Sequence, residues 1–104
     1  MTPALLLSTL SRQVGAENGV SAAALAATHD CTQRAIRAAV SILREDGIAV
    51  CGHPSTGYYI AATAAELETT CAFLRARAMH SLVLEARLRK VPLPDLLGQL
   101  HLKT

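Results

Sequence analysis

Aromatic residues are scarce in this 104-residue chain, which holds one Phe, two Tyr and no Trp. A core built without them must come from Leu, Ile, Val and Ala, and the abundance of alanine favours closely packed helices over sheet. Long apolar runs are also lacking. No stretch approaches the roughly 20 residues that a membrane span needs. The opening "MTPALLLSTL" has no basic flank, and Ser8, Thr9 and Arg12 interrupt its apolar run, so it does not read as a secretion signal. A soluble, cytoplasmic protein with no membrane partner is expected. Three cysteines, Cys31, Cys51 and Cys71, make an odd set, which argues against a disulfide framework. No Gly-rich phosphate loop, nucleophile elbow or pair of carboxylates in a plausible pocket is present. No enzymatic activity, cofactor or small-molecule substrate is expected. His80, near Ser81 and Glu85, is a lone polar group on a helix.

What is present is one domain's worth of chain, 51% apolar, with a net charge of +2. That charge is unevenly placed. Residues 1–62 carry Arg12, Arg34, Arg37 and Arg44 against Glu17, Asp30, Glu45 and Asp46, a balance of zero. Residues 63–104 supply the whole excess. Any basic patch must therefore come from local clustering.

Periodicity gives the elements. Leu6, Leu10 and Val14 fall on one helical face, with Thr2 capping and Pro3 at the first position, so a helix is expected over Pro3 to Glu17. Ser21 caps a short helix, "AAALAAT", anchored by Leu25. Thr32 caps the strongest pattern, Gln33 to Asp46, in which Ile36, Val40 and Leu43 share a face and Gly47 ends the helix. "IAVCGH" and "YYIA" read as strands about a turn at Pro54 to Gly57. "TAAE", Thr63 to Glu66, is a capping box that opens a long helix to about Lys90. Val91 and Pro92 stop it, and "PDLLGQL" forms a short terminal helix.

This order, with "SAAALAATHDCTQRAIRAAVSILREDG" followed by "STGYYI", resembles the helix-turn-helix and wing of the biotin-repressor-type and related small bacterial and phage regulators. The resemblance covers roughly residues 4 to 62. It implies a mostly α, α+β fold: a winged helix-turn-helix over residues 1–62, with a two-stranded wing. A helical extension, residues 63–104, adds a long helix and a short terminal one. Tyr58 or Tyr59 is expected to fold the wing back onto the recognition helix. The family often carries Leu-Gly between the two helices, where this chain has His29 and Asp30. Aspartate can take the left-handed conformation such a turn needs.

The resemblance also implies double-stranded DNA as partner, with helix 32–46 in the major groove. Burying Ile36, Val40 and Leu43 leaves Arg34, Arg37, Ser41 and Arg44 on an outward stripe, joined at its start by Thr32 and Gln33. Arginine makes bidentate contacts to guanine and glutamine to adenine. Ser21, Thr32 and free helix-start N–H groups suit phosphate. His53, Ser55 and Thr56 at the wing tip would add backbone contacts only, because Lys and Arg are missing there. His29-x-Cys31 and Cys51-x-His53 offer soft ligands, but their one-residue gaps are not those of a structural zinc site. No metal is expected, and Cys31 and Cys51 read as small buried residues.

Along the long helix, Leu67, Cys71, Leu74, Ala78 and Leu82 form a stripe. It either receives the leucine-rich tail or pairs with a second copy, and a homodimer is expected because DNA readers of this type commonly pair. The function expected is a small sequence-specific transcriptional regulator of phage or mobile-element type. The alternative is a winged-helix protein-interaction module in a replication or packaging assembly, favoured by the neutral charge of residues 1–62.

Overall fold

The computed structural model describes residues 1–102, so Lys103 and Thr104 at the end of the expected extension lie outside the described residues. The fold is mostly helical with one two-stranded antiparallel sheet. The chain forms two compact units, Met1–Thr70 and Cys71–Thr104. The first unit includes Glu66 and Thr70 at the start of the expected extension, and both bond to residues of that unit.

In the first unit, α1 (Pro3–Leu10) starts where Thr2 Oγ1 accepts the Leu5 N–H and buries Leu6 and Leu10. It ends well before Glu17, which corrects the helix expected over Pro3 to Glu17. Val14 continues the phase of Leu6 and Leu10, yet it is 43% exposed and forms a parallel bridge with Ile60. The backbone of residues 13–20 is drawn out of helical geometry by partners far along the chain. Ile60 N–H donates to the Gln13 carbonyl and Gly15 N–H to the Ile60 carbonyl, both at 2.8 Å. Only a single 3-10 turn, Ala16–Asn18, remains.

Helices α2 (Ala22–Thr28) and α3 (Gln33–Glu45) follow, each capped as the sequence indicates: Ser21 Oγ accepts from Ala24 N–H and Thr32 Oγ1 from Ala35 N–H. Between them Asp30 takes a left-handed φ of 49°, and Cys31 N–H returns to the Ala26 carbonyl at 3.0 Å. Gly47 closes α3 with φ 81°, its N–H on the Arg44 carbonyl and that of Ile48 on the Leu43 carbonyl. Leu6, Leu10, Leu25, Ile36, Ala39, Val40, Leu43 and Val50 form the core where α1 and α2 pack on α3.

Strands β1 (Val50–His53) and β2 (Gly57–Ile60) pair with Val50 opposite Ile60 and Cys51 opposite Tyr59. Consecutive strand residues point to opposite faces, which gives the two tyrosines separate tasks. Tyr58 packs against the helical core, with its ring lying close over Gly52. Tyr59 is buried on the other side, where its hydroxyl meets Thr70 on the long helix α4 (Ala64–Arg89). Burial, reinforced by Cys51 and Glu66, raises the Tyr59 pKa. Cys51 is fully buried and its Sγ contacts the Glu66 carbonyl, while Cys31 is half-buried against the core.

Glu66 does more than the expected capping box. Its carboxylate accepts the Ala62 N–H at 2.8 Å and also the Ala16 N–H at 2.7 Å, fifty residues away in sequence. These backbone donors, Ala16 first, hold its pKa below the ordinary carboxylate value.

The second unit comprises α4 from Cys71 onward and α5 (Leu93–Gln99), with Ala86, Leu96 and Leu97 buried. Lys90 ends α4 in a left-handed conformation, φ 57°. Glu85 and Arg89 form an exposed ion pair at 2.8 Å. No helix among the described residues is long and apolar enough to cross a membrane.

Candidate nucleic-acid interface

Helix α3 divides cleanly between its buried and its solvent face. Ile36, Ala39, Val40 and Leu43 point inward, each less than 5% exposed. Thr32, Gln33, Arg34, Arg37, Ser41 and Glu45 are exposed on the other side. Two further exposed residues on this face, Ala38 and Ile42, escape a sequence reading that follows charge. Helical spacing from Arg34 through Ala38 to Ser41 would find the first. Ala38 and Ser41 are small, while the larger Ile42 and Glu45 project from the same face toward its C-terminal end.

The polar groups on this face are partly organised in advance. Arg37 donates from Nη2 to Gln33 Oε1 at 3.3 Å. That bond uses one of the two lone pairs on the Gln33 carbonyl oxygen and does not engage its amide NH2. Arg34 extends from the first turn, where the uncompensated N–H groups of the helix start add positive potential. The Thr32 hydroxyl is engaged in capping, accepting from Ala35 N–H at 3.0 Å. Ser21 is likewise occupied at the start of α2.

Arg44 stands apart from the other arginines. It is half-buried, and its Nε donates to the Val50 carbonyl at 2.8 Å, which ties the end of α3 to β1. Face spacing places it beside Arg37, but the guanidinium is turned toward the hairpin.

At the hairpin turn, His53, Ser55 and Thr56 are bonded to one another. His53 Nδ1 accepts the Ser55 N–H at 3.1 Å and lies 2.8 Å from Ser55 Oγ. Thr56 Oγ1 donates to the Gly57 carbonyl at 3.0 Å. The turn is ordered by its own side chains, and no Lys or Arg occurs in it.

His29 Nε2 lies 2.9 Å from Thr9 Oγ1 and links the α2–α3 turn to α1. Among the described residues, no group of three or more His, Cys, Asp or Glu is placed to hold a metal ion. Of the α4 residues expected to form a stripe, Leu67, Cys71, Leu74 and Ala78 are exposed and Leu82 is half-buried. Comparison with protein-family models, with curated proteins and with solved structures gave no match to this chain.

Proposed function

We propose that residues 1–62 are a winged helix-turn-helix and that the chain binds double-stranded DNA as a small sequence-specific regulator, with α3 in the major groove. The observation that supports this reading is the solvent face of α3. Two arginines, a glutamine and two small residues stand exposed on a helix whose opposite face is locked into the core. Arg34 and Arg37 suit guanine O6 and N7. The Gln33 amide suits an acceptor on a base edge, and the Ala38 methyl suits a thymine methyl. The hairpin beside α3, fixed to it through Arg44, serves as the wing.

A second reading, a protein-interaction module in a replication or packaging assembly, is favoured by charge. Met1–Thr70 holds four basic residues against six acidic ones, since Glu66 and Glu68 join the four acidic residues of the first 62. A duplex would meet an attractive surface only locally, at Gln33, Arg34 and Arg37.

Titration of the full chain with DNA flanking its own coding sequence, and with a scrambled duplex, at low and physiological salt separates the two readings. A preference for the native duplex that persists at physiological salt is expected. The double change Arg34→Ala and Arg37→Ala should weaken that binding by about 1–3 kcal/mol for each arginine that reads a base, while leaving the fold intact. Equal binding to both duplexes, or no effect of the double change, refutes the DNA reading.

A further inference from the structure

From Cys71 to Ser81, α4 is exposed at every position except Phe73 and Met79, which are half-buried. Helices in proteins draw most of their stability from a packed face, and isolated helical segments of this length are marginal in water. An apolar line with coiled-coil spacing starts one turn before this stretch and runs into it. Leu67, Cys71, Leu74 and Ala78 follow one another at intervals of four, three and four residues, and Leu67 and Leu74 are 42% and 38% exposed.

We infer that this line is the contact surface for a second copy of the chain, with the two α4 helices antiparallel. Side-chain size is the first reason. The line alternates large and small residues, so a parallel pair would set Leu against Leu and Ala against Ala, with crowded layers next to empty ones. Reversing one helix about a point between Ala72 and Phe73 sets Leu67 against Ala78 of the second copy and Cys71 against its Leu74. Every layer then holds one large and one small side chain, the arrangement that fills space evenly.

Charge is the second reason. Glu68 and Arg75 are both exposed on the same flank of the line, two turns apart. Seven residues span roughly 10 Å of helix, too far for the two to pair within one copy. In the antiparallel arrangement Glu68 of each copy lies beside Arg75 of the other, which gives two equivalent ion pairs. A parallel arrangement brings neither pair together. The pairing does not rest on the DNA reading and stands if that reading fails.

Charge reversal tests the inference. By sedimentation, the wild-type chain should be dimeric. Glu68→Arg and Arg75→Glu should each weaken the dimer by about tenfold or more, because each replaces two attractions by two repulsions. The double variant Glu68→Arg/Arg75→Glu should restore it, and circular dichroism should show unchanged helix content throughout. Orientation is read by mild oxidation. In the antiparallel pair the two Cys71 residues are three residues out of register, about 4.5 Å along the axis, whereas Leu74→Cys puts the new thiol level with Cys71 of the other copy. Crosslinking of the Leu74→Cys variant well ahead of wild type is expected. A monomeric wild type, a double variant no better than the single ones, or rapid wild-type crosslinking through Cys71 would each overturn the proposal.

Discussion

Two glycines with nearly the same backbone conformation should respond differently to alanine, and the difference measures how tightly residues 13–20 press on β2. Gly47 and Gly57 have φ of 81° and 76°, so a Cβ at either position carries the left-handed penalty of about 1–2 kcal/mol. Their surroundings differ. A Cβ on Gly47 meets nothing within 4 Å, whereas one on Gly57 lies 2.5 Å from the Val20 carbonyl carbon and 2.7 Å from the Ser21 nitrogen. Those are backbone atoms and cannot swing aside. Relieving the clash moves Val20 away from β2 and breaks the reciprocal bonds between Val20 and Tyr58, at 2.8 and 2.7 Å. At about 1 kcal/mol each, the two bonds add roughly 2 kcal/mol. Gly47→Ala should therefore cost about 1–2 kcal/mol and Gly57→Ala about 3–4 kcal/mol. The loss of unfolded-chain freedom on replacing glycine is common to both and cancels in the comparison. Urea unfolding followed by tyrosine fluorescence is the suitable assay, since the two tyrosines, Tyr58 and Tyr59, both sit in β2 and report on this unit. Thermal midpoints should differ by roughly 10 °C. Equal losses for the two variants would refute the packing of residues 13–20 against the strand.

Two further outcomes follow from the same geometry. Arg44→Ala should lower stability by about 1.5–3 kcal/mol through loss of its charge-assisted bond to the Val50 carbonyl, as measured by urea unfolding, whereas Arg34→Ala should leave the unfolding curve unchanged. Glu66 has a depressed pKa, so its stabilising share is fully present above the unfolded-state carboxylate value and is lost as pH falls through the lower folded-state value. In Glu66→Gln, thermal midpoints taken across that acid range should fall less steeply than in wild type, and identical slopes would contradict the clamp on Ala16 and Ala62.

Local chemistry is readable where it decides the structure. The spacing of Ile36, Val40 and Leu43, the caps at Thr32 and Ser21, and the stop at Gly47 all lie within one helix turn of the residues they govern, and each occurs as the sequence indicates. The end of α1 is not readable in that way. Val14 keeps the helical phase of Leu6 and Leu10, and only the pairing of residues 13–20 with β2, more than forty residues away for Gln13, takes it off the helix. Arg44 shows the same limit at the candidate site. Face spacing groups it with Arg34 and Arg37, but the Val50 carbonyl that holds it comes from the next element. Glu66 is legible as a capping residue and not as a clamp, because Ala16 is distant in sequence. The tyrosines are legible as a pair, and strand alternation then assigns Tyr58 to the core and Tyr59 to α4.

The attachment of Arg44 bears on how the chain behaves at high concentration. A two-stranded hairpin ordinarily leaves two rows of open backbone groups, and such rows invite foreign strands to add on. Here β2 is flanked by β1 on one side and by the bridges to Val14 and Val20 on the other. At Val50, the first residue of β1, the N–H is bonded to the Ile48 carbonyl at 2.7 Å and the C=O to the Arg44 guanidinium. The strand then runs only through Cys51 and Gly52 to His53 before Pro54, which has no N–H to offer. A guanidinium that looks like a ligand contact on a helical wheel thus also engages the first carbonyl of β1, which shortens the row of backbone groups to which a foreign strand could add.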